Sequence, residues 1–191
     1  MPAIIRESKK SRGMIRSLNR AAVRDDKSPA VAHKTRTPKD PSICERCGAV
    51  YERKTWRADR RITSDLSAVA DWTVCPACVQ VGKLEGQGRV VLLGSGVAAH
   101  AALIRRRIDN VARRASATQP LRRVVAIDEL GARGDEGLEV LTTSQKLAHR
   151  IVHELKKLFG GNASYSWQDD GTLYAEWRYD LPKSGKKARG R

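Results

Sequence analysis

The sequence of 191 residues contains no long apolar run. No stretch approaches the roughly 20 apolar residues that a transmembrane helix needs. The apolar residues near the amino terminus, Ala3 to Ile5, are followed at once by charged side chains, so the sequence offers no signal-peptide core. We therefore expect a cytoplasmic protein with no membrane partner.

Motifs of the common enzyme classes are also missing. His149 and His153 stand four residues apart on a predicted helix, but H-R-I-V-H is not the H-E-x-x-H arrangement of zinc proteases. The segment Gly94-Ser95-Gly96 lacks the G-K-[ST] ending of a phosphate loop, and neither G-x-G-x-x-G nor G-x-S-x-G occurs. We interpret the histidines as part of a basic face and the glycines as a tight turn. The sequence predicts no enzyme activity and no small-molecule substrate.

Acidic residues are scarce at both ends of the chain. Residues 1–41 contain 11 Lys/Arg against 4 Asp/Glu, and residues 182–191 contain 5 Lys/Arg and no acid. These segments supply most of the net charge of +16, and they have too few large apolar side chains to form a core. We expect two disordered basic tails that suit a polyanion such as nucleic acid. The alternatives are an anionic membrane surface and a role in solubility alone.

Cysteine is limited to four residues, arranged as two C-x-x-C pairs, Cys44/Cys47 and Cys75/Cys78. Two such pairs can complete a tetrahedral sulfur site for Zn²⁺, although the 27 residues between them exceed the usual spacing. Two disulfides fit poorly because nothing in the sequence is secretory, and a thioredoxin-like motif would leave one pair unexplained. Four free thiols are the remaining alternative. We predict structural zinc, because four thiolates leave no open position for catalysis.

Basic residues surround the few aromatic ones between the cysteine pairs. Tyr51, Trp56 and Trp72 are expected to form a miniature core, or alternatively to stack on bases. A later predicted helix carries five arginines largely off its apolar stripe, which indicates either a phosphate-facing surface or an ordinary solvated face. The candidate nucleic-acid contacts are Arg53, Lys54, Trp56, Arg57, Arg60, Arg61, Arg105, Arg106 and Arg107.

The sequence pattern predicts an α+β fold. Residues 42–93 are predicted to form a zinc ribbon closed by the apolar strand at 89–93. Residues 94–181 are predicted to form a two-layer domain in the order helix, strand, strand, helix, strand, strand, with a mainly antiparallel sheet. The first helix is predicted over 96–116, and the last two strands flank the turn Asp169-Asp170-Gly171.

An ordered set of motifs extends from the first cysteine pair to the last predicted strand. It combines the two C-x-x-C pairs with Pro120-Leu121, Thr142-Thr143, Leu147-Ala148 and Trp177-Arg178. Between Cys44 and Arg178 the chain resembles a family of bacterial zinc-ribbon proteins. That family is similar to the amino-terminal part of the nonsense-mediated-decay protein three family, adaptors that bind the large ribosomal subunit. The resemblance implies that the four cysteines are zinc ligands and that the protein has a ribosome- or RNA-associated role.

These observations favour a non-enzymatic zinc protein that binds structured RNA, most of all ribosomal RNA. Many basic contacts without an evident base-reading helix favour recognition of shape and backbone. A DNA-binding regulator of transcription and a protein-interaction adaptor remain as alternatives. A nucleotide hydrolase is the least favoured, because no phosphate loop or general base can be named.

Overall fold

The computed structural model describes residues 37–58, 61–131 and 137–182. The predicted disordered tails fall outside the described residues, apart from 37–41 and 182. The described elements, in chain order, are β1 (Ser42–Cys44), β2 (Val50–Glu52), β3 (Thr55–Arg57), α1 (Ser64–Val69), β4 (Asp71–Thr73), α2 (Pro76–Lys83), β5 (Gly88–Leu93), α3 (Ser95–Ala99), α4 (Ala101–Thr118), β6 (Val124–Leu130), β7 (Gly137–Thr142), α5 (Gln145–Phe159), β8 (Asn162–Trp167) and β9 (Leu173–Arg178).

The first four strands and two helices, with their connections, form a small unit that we call the cysteine module. Its sheet has the order β3-β2-β1-β4, in which β1 and β4 are parallel and the other pairs are antiparallel. Its interior is small, since the four cysteines share it mainly with Tyr51, Trp56 and two alanines. Such a limited core contributes little stability by itself.

The larger sheet has the order β6-β7-β5-β9-β8. Only the β5–β9 pair is parallel, so this sheet is mainly antiparallel, as predicted. The prediction that residues 89–93 close the cysteine module is wrong, because β5 is the central strand of this second sheet. The physical reason is that Val90 to Leu93 are all buried, and a continuous apolar run is best covered between two neighbouring strands.

Two helices, α4 and α5, cover one face of the larger sheet. Ile104 and Ile108 of α4 and Leu147 and Ile151 of α5 are fully or almost fully buried against it, together with Trp177 of β9. The apolar stripe predicted for the first helix is therefore confirmed.

The helix predicted over 96–116 is divided, since α3 ends and α4 begins at the non-helical His100. The His100 ring contacts both Phe159 and Tyr179, with centroid distances of 6.2 and 6.0 Å, and its Nδ1 is 3.1 Å from the Gly96 carbonyl oxygen. Within the described ranges, no helix is both long enough and apolar enough to cross a membrane.

Candidate metal centre and adjoining basic cleft

Each cysteine pair is held by a short backbone turn. Cys44 ends β1, and the following turn returns the chain through hydrogen bonds from the Gly48 N–H to the Cys44 carbonyl and from the Cys44 N–H to the Ala49 carbonyl, both 2.8 Å. Gly48 has a φ of 70°, a conformation that favours glycine. Cys75 precedes the first turn of α2, and Cys78 lies within that turn. The two turns bring the four thiols to one point.

The distances between the sulfur atoms match a tetrahedral metal site. The Sγ atoms of Cys44 and Cys78 are 3.8 Å apart, as are those of Cys47 and Cys75, and all four lie within 4.8 Å of one another. A tetrahedron with metal–sulfur bonds of about 2.3 Å has edges of about 3.8 Å. A disulfide requires sulfur atoms about 2.05 Å apart, so the predicted alternative of two disulfides does not fit. The donor set fits Zn²⁺.

Burial and backbone hydrogen bonds set the acidity of these thiols. Burial raises the pKa of Cys78 to about 11 and raises the pKa of Cys75 further. Burial also raises the pKa of Cys44, but hydrogen bonds from the backbone N–H groups of Cys75, Arg46 and Cys47 lower it by more, to about 7. Cys44 is therefore the most readily ionised of the three, and a metal that binds here must displace protons from the others.

Two arginines contact Cys78 from outside the cage. Arg46 Nη1 is 3.4 Å from the carbonyl oxygen of Cys78, and Arg123 Nη1 donates to its sulfur at 3.6 Å. Burial lowers the pKa of Arg123, but the nearby Cys47 and Cys78 thiolates raise it by more, so its positive charge is stabilised. Sequence reasoning missed Arg123 as a site residue, although Pro120 and Leu121 beside it were part of the resemblance.

An open cleft of about 280 Å³ adjoins the metal centre. It lies between the cysteine module and the carboxyl-terminal half of α4. Its lining residues are Cys47, Ala49, Ala58, Arg113, Ser116, Ala117, Pro120 and Arg123. Arg113 is exposed, and its guanidinium donates to the Asn110 side chain. The lining thus includes two guanidinium groups and a hydroxyl group, of which the Arg123 guanidinium already faces the cysteine thiolates and the Arg113 guanidinium can pair with an anion.

Most of the predicted contacts of the cysteine module are exposed. Arg53 and Lys54 occupy the two-residue turn between β2 and β3, and both have positive φ, 52° and 60°. That backbone matches the hairpin turn that normally takes Asn or Gly, so two basic side chains replace the favoured residues at its tip. Arg57 and Arg61 are also exposed, and Ala58 beside Arg57 lines the cleft. Arg60 lies outside the described residues.

Trp56 requires a correction. Its side chain is only 7% exposed and packs on Tyr51, with ring centroids 5.4 Å apart. The ring therefore belongs to the module interior, where no base can stack on it. Trp72, expected to share that interior, is instead 57% exposed on the edge strand β4.

The three consecutive arginines of α4 also differ from the prediction. Arg105 Nη2 is 2.8 Å from the Glu129 carboxylate of β6, and Arg107 Nη2 is 2.5 Å from the Glu154 carboxylate of α5. Both guanidinium groups thus have counterions within the protein, because the first turns of α4 lie beside β6 and α5. Arg106 is exposed. Arg113 shares its side of the helix, seven residues or two turns further on, with the exposed Asp109 between the two arginines.

Comparison of the chain with protein-family models, with curated proteins and with solved structures gives no match.

Proposed function

We propose that Cys44, Cys47, Cys75 and Cys78 together hold one structural Zn²⁺. Two sulfur–sulfur distances of 3.8 Å, with all four sulfur atoms within 4.8 Å of one another, support this proposal, because the edge of a zinc–thiolate tetrahedron is about 3.8 Å. Four sulfur ligands saturate the metal, so its role is to fix the backbone of the cysteine module. No reaction step passes through it.

We further propose that the zinc-bound protein is a cytoplasmic, non-enzymatic RNA-binding protein, with ribosomal RNA as the preferred partner. The observation that carries this proposal is that exposed arginines from two regions, separate in the sequence, lie in or next to the lining of one cleft. Arg113 of α4 lines the cleft, and the exposed Arg57 of the cysteine module is the chain neighbour of Ala58, which lines the cleft from the other side. The net charge of +16 and the resemblance to ribosome-associated proteins support the same partner.

Recognition would rest on the phosphate backbone. Arg57 and Arg61 of the module and Arg106 and Arg113 of α4 are exposed guanidinium groups, which can pair bidentately with phosphate oxygens. These contacts require the module and α4 to keep a fixed separation, and the metal maintains the module's side of the cleft. RNA affinity should therefore fall when zinc is removed.

The test is a titration of full-length, zinc-loaded protein with a duplex RNA at several salt concentrations. Each lost phosphate contact should reduce the slope of log affinity against log salt by about one, so Arg57→Ala with Arg113→Ala should reduce it by about two. Arg178→Ala is the matched control, since Arg178 is an exposed arginine on the larger sheet. An unchanged slope in the double variant would remove the cleft from the interface.

The identity of the RNA is tested by sedimentation of tagged protein with cell lysate at low and raised salt. Comigration with a ribosomal subunit that is lost as the salt rises supports ribosomal RNA. Migration at the top of the gradient with zinc still bound contradicts it and favours DNA or a protein partner.

A further inference from the structure

The edge strand β8 displays two aromatic side chains to solvent. Trp167 is 64% exposed and Tyr165 is 42% exposed. Their cross-strand partners are Leu173 and Ala175 of β9, which are buried in the core beneath α5. Opposed residues of an antiparallel pair share a face, so both rings project on the side of the sheet that carries α5. Alternate residues of a strand are about 6.8 Å apart, which leaves room for one planar ligand at each ring.

A third ring extends this surface. The imidazole of His149 on α5 stacks on Tyr165, with centroids 5.0 Å apart and an angle of 29° between the planes. His149 is itself exposed. The exposed parts of Trp167, Tyr165 and His149, which we call the aromatic strip, therefore form one surface where β8 and α5 meet. None of the three rings is among the buried residues of the core or the side chains packed against it.

The helix beside the aromatic strip is strongly basic. Its exposed basic residues are Lys146, His149, Arg150, His153, Lys156 and Lys157. Its one acidic residue, Glu154, is already paired with Arg107. At the other end of the strip, the turn after Trp167 contains Asp169 and Asp170, and the Asp170 carboxylate accepts a hydrogen bond from the Thr172 N–H at 2.8 Å. The helix side of the strip thus suits a ligand that combines flat rings with negative charge.

We propose that the aromatic strip binds the unpaired bases of a single-stranded RNA segment, with the phosphates of that segment along the basic side of α5. Stacking of bases on exposed aromatic rings tolerates any sequence, because every base has a flat face. The proposal rests on RNA being the partner of this protein. It adds a second site, separate from the cleft, that reads single-stranded rather than paired segments.

The test measures fluorescence anisotropy of a labelled uridine oligoribonucleotide and of an RNA duplex with full-length, zinc-loaded protein. Trp167→Ala and Tyr165→Ala should each weaken binding of the oligomer by about tenfold and change duplex binding by less than about twofold. Tyr165→Phe should bind like the unchanged protein, because stacking does not need the hydroxyl. Trp72→Ala is the matched control, since Trp72 is an exposed tryptophan of the cysteine module.

The outcomes separate the two sites. Oligomer binding within about twofold of the unchanged protein in both Trp167→Ala and Tyr165→Ala overturns the proposal, even where duplex binding through the cleft is intact. An occupant of another kind, such as an extended peptide that pairs with the outer edge of β8, gives the same negative result. Loss of oligomer binding in these variants, with no effect of Arg57→Ala and Arg113→Ala on duplex binding, supports the strip and contradicts the cleft.

Discussion

Arg123 links the segment before β6 to the cysteine module by a side-chain hydrogen bond. It lies just before β6, yet it donates to the sulfur of Cys78, 45 residues earlier in the sequence. Its Nε also donates to the Pro120 carbonyl at 2.8 Å, which fixes the direction of the side chain. Groups that hydrogen-bond metal ligands orient them and partly offset the charge of a four-thiolate site.

Replacing Arg123 by alanine is expected to lower the affinity for zinc by about 10- to 100-fold, because the Cys78 thiolate loses its charged donor. Competition between the protein and a chromogenic chelator measures this affinity. Arg122→Ala is the neighbouring control. Release of zinc at the same chelator concentration from Arg123→Ala and from unchanged protein would show that the contact does not support the metal.

At the level of single residues, the features that could be predicted from the sequence are those that depend on local spacing, above all the cluster of four cysteines. Two C-x-x-C pairs are sufficient to place four thiols together, and the structure has them at metal-binding distances. The contact of Arg123 with Cys78 spans too much sequence for any local pattern to indicate it. The burial of Trp56 was equally hidden, because an aromatic residue among arginines fits both a core and a base-stacking surface.

At the level of secondary-structure elements, α4 and α5 are joined across their boundary by Arg107 and Glu154. Their side chains are 28% and 26% exposed, so water screens the pair only in part. The hydrogen bond from Arg107 lowers the pKa of Glu154 below its usual value. Arg107 is therefore paired within the protein at the contact between α4 and α5, whereas the sequence predicted it as a phosphate contact.

A double-mutant cycle with Arg107→Ala and Glu154→Ala should give a coupling free energy of about 1 kcal/mol or less at neutral pH. Since the pKa of Glu154 is lower in the folded state than in the unfolded state, the stabilisation by the ion pair is fully present at pH values above the unfolded-state pKa. It is lost as the pH falls through the folded-state value. Urea unfolding of the four proteins of the cycle, at pH 7 and at strongly acidic pH, measures the coupling free energy. A coupling that is equal at both pH values would contradict the assignment.

The elements themselves were only partly predictable. The apolar stripes of α4 and α5 follow from spacings of three and four residues, which are local, and these helices are present. At the break, His100 contacts Phe159 and Tyr179, two rings that come much later in the chain and that no local pattern indicates. Likewise β5 has the composition of a buried strand, but its partners β7 and β9 come much later in the chain, so the sequence alone assigned it to the nearer module.

On the scale of the whole molecule, the described residues contain two unequal hydrophobic cores. The core of the larger sheet includes long aliphatic side chains from both helices and Trp177. Three of the seven buried members of the other core are Cys44, Cys75 and Cys78. With the Zn²⁺ that we propose, a core of that composition would depend on the metal, since the free energy of zinc binding becomes free energy of folding.

Removal of zinc by a chelator should therefore unfold the cysteine module and leave the larger sheet folded. Hydrogen exchange followed by mass spectrometry should show protection lost over β1, β2 and β3 and kept over β5 and β9. Addition of excess Zn²⁺ should restore it. Simultaneous loss of protection over β5 and β9 would mean that the two cores unfold as one unit.

The central position of β5 has a consequence for the order of folding. Its neighbours β7 and β9 both follow it in the chain, and the parallel pairing of Val90 with Ala175 joins distant segments. Non-local pairings of this kind are slow to form, whereas the contacts of the cysteine module are mostly local. As the chain emerges during synthesis, the module can fold first, but β5 lacks one neighbour until β9 is complete. A chain truncated before Leu173 would leave an open apolar edge that is prone to aggregation.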